Sequence, residues 1–167
     1  MFSSIAYVIL TLEKSKYPNM KEVLKYARKL RKITVFILKY YVDNMNLEYI
    51  YSLAGSYNNL ADVNDNSSNG NNLSKTIEKA YEYIEIMKKK CTWGGSIEMK
   101  ALEKYIHALG YKGIQVYEKT NKSRYRVIKE MGTRKHKRHS KLIRILLEGV
   151  NKGGFHFKAI VNRVASI

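Results

Sequence analysis

The stretch Cys91-Thr92-Trp93-Gly94-Gly95-Ser96-Ile97-Glu98-Met99-Lys100-Ala101-Leu102 constrains the fold more than any other, because an aromatic, two glycines and a helix start follow without a spacer. Trp93 brings a large apolar surface with one N–H to satisfy, and Gly94-Gly95 lets the backbone turn sharply or approach a neighbour closely. Ser96 is placed to cap the helix that follows, its hydroxyl taking a first-turn N–H. Glu98 falls in that turn, where negative charge complements the helix dipole. Ile97, Ala101, Leu102, Tyr105 and Ile106 then recur at helical spacing. By themselves these residues describe a buried turn anchored by a tryptophan.

Around this stretch the chain reads as α+β. Phe2, Ile5, Ala6, Val8, Ile9 and Leu12 make a first helix that is apolar on most sides, which predicts burial in the middle of the domain. Pro18-Asn19 opens the second helix, with Asn19 as cap and Glu22 three residues on, a variant of the capping box. Val23, Ala27, Leu30, Thr34, Ile37, Leu38 and Tyr41 keep one buried face through about residue 42. The opposite face carries Lys21, Lys25, Arg28, Lys29 and Lys32 and reads as solvated.

A shorter helix is expected from about Leu47 to Leu53. Residues 55–73, rich in Asn, Ser, Asp and Gly, read as a long flexible polar loop. Ser74 then caps a helix whose stripe is Ile77, Ala80, Tyr81, Ile84 and Met87, ending in Lys88-Lys89-Lys90, where cations suit the dipole. Gly110-Tyr111-Lys112-Gly113 breaks the helix after Ser96. Strands follow at Ile114-Gln115-Val116-Tyr117, Tyr125-Arg126-Val127-Ile128, Leu142 to Leu147 and Phe155 to Val161, the last two joined by an Asn151-Lys152-Gly153-Gly154 turn.

The chain's 167 residues suit one domain over 1–167, and 45% apolar content with a single proline is globular. Thirty-one basic against fourteen acidic residues give a net charge of +17, which favours polyanions and disfavours cationic partners. Cys91 is the only cysteine, so no intrachain disulfide can form and a reducing, intracellular compartment is expected, cytoplasmic or nuclear. Residues 1–10 lack the basic start and cleavage site of a signal peptide, and no stretch approaches the length of a membrane span. The abundance of Asn, Lys, Ile and Tyr fits an AT-rich genome, such as that of a parasite, symbiont or large virus, for which the compartment would be a host cell.

Residues 119–141 form a basic hairpin or insertion with Glu130 as its one acid, and Arg134, Lys135, Lys137 and Arg138 cluster densely within it. A solvated hairpin accounts for them. So does a nuclear-localisation or nucleic-acid patch, which makes nucleic acid a possible partner. His136 and His139 lie in the same cluster, but no second pair of ligands accompanies them, so no metal site is expected.

The Trp-Gly-Gly-x-Ile-Glu-x-x-Ala-Leu segment starting at Trp93, then Ile114-Gln115-Val116-Tyr117, then a last strand with His156 before Phe157, resembles the ovarian tumour (OTU) family of cysteine proteases, most of which cleave ubiquitin conjugates. Leu30-Arg31 matches a family helix as well. The resemblance covers nearly the whole chain and implies an OTU-like fold, a small mostly antiparallel sheet flanked by helices with the N-terminal helix central. It makes Trp93, Gly94, Gly95 and Glu98 a structural signature, His156 the general-base counterpart, and ubiquitin or a ubiquitin-like protein the partner, with no cofactor. The family often orients its His with an Asp or Asn two residues later. Lys158 stands there, and Asn162 is the substitute close in sequence.

In the family the nucleophilic cysteine follows a Gly-Asp-Gly-Asn loop at the start of the central helix, and Met1-Phe2-Ser3-Ser4-Ile5-Ala6 looks like the continuation from the residue just after it. A thiol there gains acidity from the helix dipole and attacks as the thiolate, with His as its base, while the loop supplies oxyanion donors. Cys91 occupies a variable position of the family motif instead. The expectation is a chain truncated just after the catalytic cysteine and inactive as given. The alternatives are a non-catalytic ubiquitin- or protein-binding pseudoenzyme, or a basic nucleic-acid-binding module.

Overall fold

The computed structural model describes residues 1–14, 17–61, 72–89, 95–119, 125–131, 141–150 and 154–161. It is α+β, with five helices and one four-stranded mixed sheet among these residues. They gather into two compact units, one built from Met1–Leu30 and Leu102–Ile167, the other from Arg31–Ala101.

The first unit is organised on α1 (Phe2–Lys14), in which Phe2, Ser4, Ile5, Ala6, Val8, Ile9, Leu10 and Thr11 are all buried. The all-round apolar pattern predicted this burial. Ile5 and Ile9 are fully inaccessible, each worth about 2 kcal/mol of transfer free energy. The strands are β1 (Ile114–Lys119), β2 (Tyr125–Met131), β3 (Ile143–Val150) and β4 (Gly154–Ile160), in the order β2-β1-β3-β4. β1 pairs antiparallel with β2, and β3 with β4, while β1 and β3 run parallel. Ile114, Val116, Ile143 and Ile145 are buried on one face, and α1 packs against β3 and β4.

The second helix, α2 (Met20–Asp43), begins as its sequence requires. The Glu22 N–H donates to Asn19 Oδ1 at 2.9 Å, and the Asn19 N–H donates back to the Glu22 carboxylate at 3.3 Å. Its buried residues are Val23, Ala27, Leu30, Thr34, Leu38 and Val42.

The second unit adds α3 (Leu47–Ala61), α4 (Leu73–Lys88) and the first residues of α5 (Ser96–Ala108). Here the expected polar loop over 55–73 is corrected at both ends. Residues 55–61 continue α3, and Leu73 already belongs to α4; 62–71 lie outside the described residues. Composition misled because the helix is held by packing: α3 lies on α4, Leu53 and Ala54 are buried, and Tyr57 hydrogen-bonds to Glu82. Gly55 is exposed with open space around it, so its small size costs propensity and nothing else.

Two caps also move. α4 is preceded by Asn72 at the cap position, with no side-chain cap bond, and Ser74 is exposed within the first turn. The buried stripe of α4 runs through Ala80, Tyr83, Ile84 and Met87, so Tyr83 takes the place expected of Tyr81. Tyr81 instead stays half-buried and donates to Asp43 at 2.5 Å.

Candidate functional site

Ser96 was expected to cap α5, but it is the first helical residue, and Gly95 holds the cap position with its carbonyl accepting the Met99 N–H at 3.1 Å. The side-chain half of the cap comes from Glu98, whose carboxylate accepts the Gly95 N–H. Its other oxygen accepts the Tyr83 hydroxyl at 2.7 Å, joining α5 to α4. Glu98 is fully buried. Burial raises its pKa above the ordinary carboxylate range, against the lowering effect of the Tyr83 hydroxyl, the Gly95 N–H and the Arg31 charge. Burial and the neighbouring Glu98 charge likewise push the Tyr83 hydroxyl far up, so it remains a neutral donor.

Arg31, the residue of the Leu30-Arg31 pair, closes the same neighbourhood. Its guanidinium donates to the carbonyls of Met87 at 3.2 Å and Lys89 at 2.6 Å, satisfying the C-terminal end of α4 just before the Trp-Gly-Gly stretch. Of the structural signature, Gly95 and Glu98 therefore have a defined role in joining two helices. Trp93 and Gly94 lie outside the described residues, as does Cys91.

His156, the residue expected to be the base counterpart, belongs to the first unit. His156 occupies β4 opposite Glu148 of β3. One residue further on, the Phe157 carbonyl accepts the Ser4 hydroxyl at 2.6 Å, so the first turn of α1 touches β4 next to His156. That turn starts with Met1 at the cap position, its carbonyl accepting the Ser4 and Ile5 N–H groups. A helix N-terminus of this kind stabilises an anion placed before it.

Glu148 was missed in the sequence, because a cross-strand neighbour depends on register and no local spacing reveals it. Its carboxylate pairs with the ammonium of Lys158 on β4 at 2.7 Å. Asn162 and the cluster Arg134, Lys135, Lys137 and Arg138 lie outside the described residues. Of the 119–141 segment, β2 is described and pairs antiparallel with β1, while 120–124 and 132–140 lie outside the described residues. Among the described residues no group of His, Cys, Asp or Glu is placed to hold a metal ion, and no helix is long and apolar enough to cross a membrane. No protein-family model, curated protein or solved structure matches this chain.

Proposed function

We propose that the first unit is the base-bearing part of an OTU-like cysteine protease site acting on ubiquitin conjugates. The observation that carries this reading is the Ser4–Phe157 hydrogen bond at 2.6 Å, which joins the start of α1 to the strand position beside His156. A thiolate base must lie within reach of its nucleophile, and the family's cysteine would fall immediately before Met1. The burial of α1 against β3 and β4 supports the reading as well.

In this mechanism the thiolate attacks the isopeptide carbonyl carbon. The C–N bond breaks as the imidazolium of His156 passes its proton to the departing lysine amine, and water then hydrolyses the thioester, its proton taken by the same imidazole. Glu148, opposite His156, is the group proposed to orient it, with Lys158 held aside by the same carboxylate.

The test is to place Gly-Asp-Gly-Asn-Cys ahead of Met1 and add ubiquitin bearing an electrophile at its C-terminus. Labelling of the added cysteine is expected, with none of the 167-residue chain itself. Substituting His156→Ala should abolish isopeptide hydrolysis, and Glu148→Gln should lower kcat and shift its acid limb. Failure of the extended chain to label, or labelling at Cys91, overturns the assignment.

A further inference from the structure

The sheet of the first unit has a second face, unlike the one buried against α1. Tyr117 stands opposite Val127 on β2 and Leu146 on β3, so Tyr125 and Arg144, each two residues from one of those partners, are its diagonal neighbours on either side. Because β1 runs antiparallel to β2 and parallel to β3, Tyr125, Tyr117 and Arg144 lie on one diagonal line across three strands, at steps of about 7–8 Å. They line a hollow of about 650 Å³ together with Leu146, Glu148 and Lys158.

The chemistry along this line is unusual for a structural surface. Arg144 is half-buried and its side chain makes no hydrogen bond or ion pair with any described residue, although a partly desolvated guanidinium without an acceptor is disfavoured. Lys158 is already neutralised by Glu148, so Arg144 is the cation left to meet an anion among the described residues that line the hollow. Tyr125 is 57% exposed, a large ring turned to solvent beside the hollow. Tyr117 is fixed by its hydroxyl bond to Gln115 Oε1 at 3.0 Å, and Gln115 is in turn held by Glu130.

Two rings in line with a guanidinium that has no acceptor among the described residues match a polymer that alternates flat bases with phosphates. A net charge of +17 steers such a polyanion in and disfavours both a second copy of this chain and a cationic peptide. A duplex hides the faces of its bases, whereas a single strand can lay them on exposed rings. We propose that this sheet face binds single-stranded nucleic acid, with successive bases stacked on Tyr125 and Tyr117 and a phosphate on Arg144. The proposal rests on Tyr125, Tyr117 and Arg144 and not on the Arg134 to Arg138 cluster; Glu148, at the edge of the same hollow, is shared with the site proposed above.

The experiment uses the full chain and a fluorescent, unstructured oligothymidylate read by anisotropy across a salt series. Tyr125→Ala should weaken binding about tenfold or more. Arg144→Met should weaken it several-fold and lower the salt slope by about one. A duplex of the same length should bind more weakly, and free thymidine monophosphate should compete poorly. The proposal is overturned if both variants bind as the parent does, if duplex binds equally well, or if the mononucleotide displaces the oligomer mole for mole. It is also overturned if Arg134→Gln, Lys135→Gln, Lys137→Gln and Arg138→Gln together remove all binding while Tyr125→Ala removes none.

Discussion

Two charged side chains, one in each unit, divide the molecule by what surrounds them. Glu98 is fully buried and both of its oxygens are occupied, by the Tyr83 hydroxyl and the Gly95 N–H. Arg144 is half-buried, faces a hollow, and has no acceptor among the described residues. A buried charge with every lone pair engaged holds helices in place, while a partly buried charge left unengaged keeps its interaction for something outside the chain. Burial alone would have ranked Glu98 as the functional group. Satisfaction reverses the ranking.

The largest effect should come from removing the satisfied charge. Glu98→Ala strands a buried tyrosine hydroxyl and a helix-start N–H, and should destabilise the second unit by about 3 kcal/mol in urea titrations. A loss below about 1 kcal/mol would break the comparison, since the network would then be a bystander.

The same carboxylate sets a pH dependence. Its pKa is raised in the folded chain, so the native state holds the proton more tightly than the unfolded one. Stability from this group is therefore present at and below the ordinary glutamate range and is lost as pH rises through the raised value. Denaturation midpoints measured from about pH 4 to about pH 8 should fall with pH in the parent, and this component should vanish in Glu98→Gln. A parent curve that rises through the same window would mean that the Arg31 charge and the two donors outweigh burial.

A smaller effect separates the two units at their helix stops, which share one geometry. After α5, the Tyr111 N–H bonds to the Ile106 carbonyl and the Gly110 N–H to that of His107; after α2, Asn46 and Met45 make the same pair of bonds to Tyr41 and Val42. The left-handed residue is Gly110 at φ 83° in the first unit and Met45 at φ 55° in the second. Glycine takes that conformation freely, and a side chain pays about 1 kcal/mol for it. Gly110→Ala should therefore destabilise by about 1 kcal/mol and Met45→Gly should stabilise by somewhat less, read as opposite shifts in urea midpoint. If Met45→Gly does not stabilise, the half-exposed methionine side chain is making contacts that offset its backbone strain.

These contrasts also mark how far the sequence could be read. The all-round apolar pattern of residues 2–12 foretold a buried α1, and Asn19 with Glu22 foretold the start of α2, because both signals are local and periodic. The extent of α3 was hidden, since Gly55, Ser56, Asn58 and Asn59 have loop composition and are kept helical by packing on α4. Glu98 was legible as a first-turn acid, but its bond to Tyr83 was not, because the expected stripe of α4 had Tyr81 where Tyr83 is buried. The Tyr125–Tyr117–Arg144 diagonal could not be read at all. It depends on β1 and β3 being parallel neighbours and on an irregularity between Val116 and Tyr117 that shifts the register with β2.

The smallest expected effect is the sharpest test of the opening contrast. Arg144→Met keeps an unbranched stem of similar reach and removes the guanidinium. If that charge has no partner within the folded chain, nothing is stranded by its loss, and stability should change by less than about 0.5 kcal/mol or rise slightly as desolvation is relieved. Urea unfolding of the free chain measures this directly, beside Glu98→Ala under the same conditions. A loss of about 2 kcal/mol or more would mean that Arg144 has an acceptor in the folded chain, and the two charges would then belong to one class. Near-neutral stability combined with weakened oligonucleotide binding is the outcome that keeps them apart.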